Sequence, residues 1–276
     1  MIIIGERINA IASGVKEAIE KRDAPYIEDL AQHQTQCGAD YLDCMAGRTK
    51  DPYQVMKWLI KVVQDRVETP LCIDSGDPRL LKRLVESVDF HRPGIINSIS
   101  GAGKKGGILF PMIAGTPWKA IVLTCDDRGV PKTTADKVEI VKRLLEQADH
   151  YGVAMDQLIF DPCIMALVAV PGVMKTYMAD VAAIRSCAPE AMVLGAISNI
   201  SYNMPERSVI NAACMTMAIQ AGAEAMLVDP CDQAITNARF AAAVLMDVDH
   251  RGLDYNRAWR DGRILGYSGN QDKGEG

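Results

Sequence analysis

Asp74 in Leu71-Cys72-Ile73-Asp74-Ser75, Asn97 in Ile95-Ile96-Asn97-Ser98 and Asp161 in Phe160-Asp161-Pro162 each end a short apolar run. Two carboxylates and an amide around an otherwise apolar pocket satisfy the donors and acceptors of a flat, nitrogen-rich heterocycle. A carboxylate is suited to adjacent ring and amino N–H donors. Asn199 stands in a further segment of this kind, Gly195-Ala196-Ile197-Ser198-Asn199-Ile200-Ser201, where Gly195 permits close backbone packing against a planar ligand. Ser198 and Ser201 have turn-stabilising explanations, and Arg207 in Pro205-Glu206-Arg207 has the reach for either an acidic ligand tail or a solvent salt bridge. A single Asp or Asn is accounted for by helix capping or strand termination. Recurrence of the same residue types at successive strand ends points instead to one shared site.

The elements that would bring these residues together are read from hydropathy. Segments 2–8, 39–45, 70–74, 94–99, 119–125, 157–160, 192–198 and 224–228 are short and rich in Ile, Val, Leu or Cys, as buried strands are. Between them, windows such as 52–67, 135–151, 174–187 and 205–221 repeat their apolar residues at helical spacing. Thr133 or Thr134 suits the start of one helix, Pro205 and Glu206 the first turn of another, and Gly152 and Gly222 their stops.

Counting from Arg7, polar residues recur at the strand ends as Asp43, Asp74, Asn97, Asp126, Asp161, Asn199 and Asp229. Eight such units predict an α/β fold, an eight-stranded parallel TIM barrel whose one rim gathers polar groups from distant parts of the chain. An open doubly wound sheet would alternate similarly, but its dinucleotide signature is missing. Lys104 and Lys105 interrupt Gly101, Gly103, Gly106 and Gly107, which read as a turn entering a helix over 108–114. The chain is read as one domain, 1–276, with 252–276 as a C-terminal extension whose Tyr255, Trp259 and Tyr267 tuck against the barrel or a second subunit.

The 30 basic and 35 acidic side chains leave a formal charge of -5. This gives no broad attraction to nucleic acid or anionic membranes. Met1-Ile2-Ile3-Ile4 lacks the basic flank and long apolar core of a secretory signal, and no apolar run reaches membrane-spanning length, so a cytoplasmic protein is expected. The cysteines at 37, 44, 72, 125, 163, 187, 214 and 231 and the histidines at 33, 91, 150 and 250 are dispersed, and no metal site is expected from them.

Gly5-Glu6-Arg7-Ile8-Asn9, Leu42-Asp43, Ile73-Asp74-Ser75, Ile96-Asn97-Ser98-Ile99-Ser100, Asp161-Pro162 and Gly195 through Ser201 together resemble the pterin-binding corrinoid methyltransferases. The chain looks most like the methyltetrahydrofolate–corrinoid protein methyltransferase group. That resemblance implies a homodimeric barrel that holds tetrahydrofolate or methyltetrahydrofolate as substrate and docks with a separate corrinoid protein carrying cobalamin. It matches Asp74, Asn97 and Asp161 to pterin-anchoring positions, Asn199 to the catalytic amide near pterin N5, and Gly195 and Ser198 to the pocket wall. It also brings Arg207 toward the aminobenzoate-glutamate portion of the folate.

The chain departs from the family pattern after Asp43. Cys44-Met45-Ala46-Gly47 replaces an arrangement with Asn two positions after the Asp, which removes an amide and offers Met45 as an apolar wall. In this segment it resembles the glycine betaine demethylation branch. Dihydropteroate synthase is a competing analogy, but neither 195–201 nor 227–230 supplies the Lys or Arg that a phosphate leaving group calls for. Two other readings are a zinc-assisted thiol methyltransferase built on Cys44, Cys125, Cys163 and Cys231, which no coupled histidine-cysteine motif supports, and a non-enzymatic folate-binding or corrinoid-interaction protein.

Overall fold

A computed structural model describes residues 1–266. Eight strands, β1 (Ile2–Asn9), β2 (Tyr41–Met45), β3 (Leu71–Asp74), β4 (Ile95–Ser100), β5 (Lys119–Leu123), β6 (Leu158–Asp161), β7 (Met192–Ala196) and β8 (Ala225–Val228), form a closed barrel in chain order. Every neighbouring pair is parallel, and β1 closes on β8 with Ile2 opposite Ala225 and Gly5 opposite Val228. The expected barrel is therefore present.

Helices α1 (Ser13–Lys21) and α2 (Ala24–Gln36) follow β1; α3 (Pro52–Arg66), α4 (Pro78–Ser87), α5 (Lys105–Ile113), α6 (Thr134–His150), α7 (Val173–Cys187), α8 (Arg207–Ala221) and α9 (Gln233–Leu245) follow the next strands in turn. Most starts are written locally. Asp23, Asp51, Asp77 and Asp232 each accept a backbone N–H of the first turn, and proline sits at the first or second position of α2, α3 and α4. Thr133, rather than Thr134, caps α6. Pro205 and Glu206 precede α8 instead of forming its first turn, because Glu206 takes a left-handed conformation with φ +48°. Gly222, at φ +99°, stops α8 as expected.

The C-terminal segment forms a further helix, α10 (Leu253–Arg260), against α9. Trp259 is 63% exposed, so it does not tuck against the barrel; Tyr255 is half-buried, and Tyr267 lies outside the described residues. No described helix is long and apolar enough to cross a membrane.

Alternation along each strand divides the core in two. Ile3, Leu42, Ile73, Ile96, Val122, Phe160, Val193 and Met226 face the helices. Ile4, Cys72, Ile95, Ile121, Ile159, Leu194 and Ala225 fill the lumen as a separate apolar cluster. Side chains two positions further on point the same way and form the next lumen layer. That layer contains Glu6, Asp43, Asp74, Asn97, Leu123, Asp161, Ala196 and Leu227. The floor of the site is thus a plug of aliphatic side chains, and its walls become polar within one pleat.

Candidate active site at the barrel mouth

The ring at the mouth is held by few protein hydrogen bonds. Asp74 and Asn97 are register partners across β3 and β4. Asn97 Nδ2 donates to Asp43 Oδ1 at 3.1 Å, which also fixes the amide's orientation. Burial pushes Asp43 up to about 6, against the lowering effect of hydrogen bonds from Asn97 and the Cys72 thiol. Asp74 is pushed up to about 8, first by burial and then by the Asp43 charge, with Lys105 opposing. Asp161 Oδ1 accepts the Cys163 N–H at 2.7 Å; burial still raises its carboxyl to about 6, offset by that bond and by Lys137. These are carboxyls kept from water with acceptor capacity left over, the state that a ligand's N–H donors would satisfy.

Glu6 and Asp43 belong to the ring, though sequence reasoning proposed neither as a site residue. The Ser198 hydroxyl donates to Glu6, whose carboxyl is raised to about 7 by burial despite that bond, with Asp229 and Asp43 adding to the rise and Arg207 opposing it. A signal for both was in the sequence: each lies two residues after an inward-facing side chain, Ile4 and Tyr41.

The segment after β7 departs from expectation in two respects. Gly195 faces the helix layer, not the pocket. A Cβ there would lie 3.2 Å from the Tyr177 hydroxyl and 3.1 Å from Met226 Sδ. Alternation dictates this, since Leu194 already fills the lumen. The glycine lets Tyr177 approach β7 and donate to Leu194 O at 3.0 Å. Arg207 does not extend toward a ligand tail. From the first position of α8 it folds back, with Nη2 donating to Ser198 O at 2.7 Å and Nε to Ser201 Oγ at 3.0 Å. It clamps the loop that presents Asn199. Asn199 ends a single 3-10 turn, Ile197–Asn199, is exposed, and accepts or donates no side-chain hydrogen bond among the described residues.

Asp74 lines a cavity of about 670 Å³ beneath the loops after β2 and β3, together with Met45, Arg48, Thr49 and Ser75. Met45 supplies apolar wall there, as its replacement of a polar residue predicts. At the end of β5, Thr124 Oγ1 is buried without a hydrogen-bond partner among the described residues, while Thr124 N–H donates to Asp161 O at 3.0 Å. The unspent carboxyl oxygens and the oriented amide fit a reduced pterin, whose amino-pyrimidine edge supplies donors and acceptors side by side.

Residues 5–229 match the pterin binding enzyme family, and the chain belongs to that family. It is 36% identical over 267 residues to the methylcorrinoid:tetrahydrofolate methyltransferase of Eubacterium limosum, covering 96% of this chain and 98% of that protein. It is 27% identical over 244 residues to methionine synthase of Mycobacterium tuberculosis, covering 83% of this chain but only 20% of the synthase. Among solved structures, a Yersinia pestis dihydropteroate synthase with a pterin-sulfa conjugate superposes with TM-score 0.65 at 15% identity, covering 89% of this chain and 94% of that one. A Stenotrophomonas maltophilia dihydropteroate synthase gives TM-score 0.64 at 16% identity, with 91% and 93% covered. At these identities the likeness to the two synthases shows the barrel fold alone.

Proposed function

We propose that the chain is a methyltransferase that moves a methyl group between the corrinoid of a partner protein and N5 of tetrahydrofolate. The observation that carries this reading is the ring of raised carboxyls and oriented amide at the mouth of a barrel that aligns over nearly its whole length with a protein of that activity. Cobalt on the partner releases or receives the methyl group, and the barrel supplies orientation.

Asp74 and Asp161 accept the ring and amino N–H groups, and Asn97, held by Asp43, sets the orientation of the pterin plane. Asn199 presents its amide to N5. An amide does not titrate near neutrality, so it follows N5 by switching which end it offers: Nδ2 donates to the unprotonated nitrogen, and Oδ1 accepts from the protonated one. Ser198 and Arg207 hold the loop that places it. When transfer runs toward folate, the N5 lone pair forms the new N–C bond, the electron pair of the Co–C bond stays on cobalt, and the proton that N5 carried is released to solvent.

We read the physiological direction as toward methyltetrahydrofolate in a demethylation pathway, with the glycine betaine branch supported by the Cys44-Met45-Ala46-Gly47 segment. Exposed Ile11, Val168 and Tyr202, on loops that follow β1, β6 and β7, favour the mouth as the face that receives the corrinoid protein. Leu245, Met246, Val248, Leu253 and Trp259, exposed along α9 and α10, favour a homodimer through that side. A cytoplasmic location and a single domain over 1–276 complete the reading.

The test is incubation of purified protein with tetrahydrofolate and a panel of methylated corrinoid proteins, followed by mass detection of methyltetrahydrofolate. Formation of product with one member is expected. Tight folate binding without turnover across the panel, the cognate carrier included, would leave a binding protein in its place.

A further inference from the structure

His33 and Cys37 stand one turn apart at the C-terminal end of α2. The Cys37 N–H donates to His33 O at 2.9 Å and Cys37 keeps right-handed helical geometry, so the two side chains share a face. Cys231 arrives from nearly the other end of the chain, in the loop between β8 and α9, where its N–H is fixed by Asp229 Oδ1 at 2.9 Å. A His33 ring nitrogen and the sulfurs of Cys37 and Cys231 all lie within 4.8 Å of one another, and neither cysteine is in a disulfide. Residues read as dispersed in the sequence therefore converge, outside the barrel lumen.

We propose that His33, Cys37 and Cys231 form a binding site for a thiophilic divalent cation of the Zn²⁺ class. Tetrahedral zinc, with sulfur at about 2.3 Å and nitrogen at about 2.0 Å, needs its donors roughly 3.5–3.8 Å apart. The donors, within 4.8 Å of one another, have about 1 Å to close to reach that spacing. Two thiolates offset the ion's charge, and the imidazole completes a donor set that selects against the hard, oxygen-seeking Mg²⁺ and Ca²⁺. His33 is exposed and both cysteines are half-buried, which leaves the fourth coordination position to water.

The placement gives the ion a task. α2 is tied to β1 through Gln34 Oε1, which accepts the Arg7 N–H at 3.0 Å, while Cys231 lies three residues past the end of β8. A bound ion joins the two sides of the β1–β8 closure and steadies the loop whose Asp229 pairs with Arg7 at 3.7 Å. The proposal does not depend on the methyl-transfer reading.

Reduced, chelator-treated full-length protein is titrated with Co²⁺ and then Zn²⁺. The expected result is one Co²⁺ per chain, with sulfur-to-cobalt charge transfer in the near ultraviolet, intense tetrahedral d–d absorption, displacement by Zn²⁺ and a metal-dependent rise in Tm. Cys37→Ser and His33→Ala should each weaken binding by more than about a hundredfold, since even outer-shell changes cost ten- to a hundredfold. Cys125→Ser should retain the spectrum. His33 is exposed, so its variant is expected to fold. Persistence of the cobalt bands in both Cys37→Ser and Cys231→Ser would overturn the site. So would failure of the reduced wild type to take up either metal, with a Cys37–Cys231 disulfide found in the isolated protein.

Discussion

Asp180 on α7 is wholly buried and has both oxygens engaged: Oδ1 accepts from Thr134 Oγ1 at 2.7 Å and Oδ2 from Lys137 Nζ at 2.6 Å. Lys137 spends a second donor on Pro162 O at 2.7 Å, so the pair braces the turn that follows Asp161. The carboxyls of the mouth are the opposite case. Asp74 accepts no hydrogen bond from the described side chains, and Asp161 accepts one backbone N–H. A buried acid whose oxygens are all spent holds the fold, whereas one whose oxygens are free is a place for something else to bind.

Breaking the brace should have the largest effect. Lys137→Met leaves Asp180 and the Pro162 carbonyl short of donors and is expected to cost about 3–5 kcal/mol in urea unfolding. By contrast, Asp74→Ala should leave stability unchanged or raised, and Asp161→Ala should cost only about 1–3 kcal/mol for the orphaned Cys163 N–H, while each weakens tetrahydrofolate binding by about 2–3 kcal/mol, read by calorimetry. Equal affinity in wild type and variant would remove the residue from the anchoring set. Asn199→Ala tests the catalytic side of the same contrast. Single-turnover transfer from a saturating methyl-corrinoid donor should slow by about tenfold to a hundredfold, with folate affinity within about threefold.

The same contrast extends to pH dependence. Glu6, Asp43, Asp74 and Asp161 all have carboxyls raised above their ordinary range, to about 7, 6, 8 and 6. The folded chain therefore holds more protons than the unfolded one, and this contribution is fully present below about pH 4 and lost as pH rises to about 8. Ligand-free stability should fall across that window, and Asp74→Asn should flatten its upper part. Tetrahydrofolate affinity should move the other way, strengthening as the acceptors ionise. A binding profile flat from pH 5 to pH 8 would count against ionised acceptors.

The barrel was legible because buried parallel strands are apolar runs with polar ends, and all eight runs lie where strands form. Their limits were less so. Segments read through Cys125 and Ser198 leave the ladder at Leu123 and Ala196, since chemically the residues beyond look no different. Asp74, Asn97 and Asp161 were found as strand-end polar residues. Glu6 was left out of the site because the strand-end count began one residue later, at Arg7, and Asp43, though counted as a strand-end polar residue, was not carried into the anchoring set. Gly195 and Arg207 show what a string of letters withholds. The first needed the facing parity of β7, and the second needed the left-handed Glu206 that turns α8 back over its own loop. Helices α1, α2, α4 and α9 went without windows of their own, although local Asp and Pro signals mark the starts of α2 and α4 and Asp232 that of α9.

Closure of β1 on β8 also constrains how the chain is made. Ile2 pairs with Ala225, so the first strand waits for almost the whole barrel to be synthesised before its second edge is covered. Until then a nascent chain carries an open arc with raw backbone at both margins, a surface that invites pairing with other strands. A truncation that removes β8 should therefore yield aggregate rather than a smaller folded barrel.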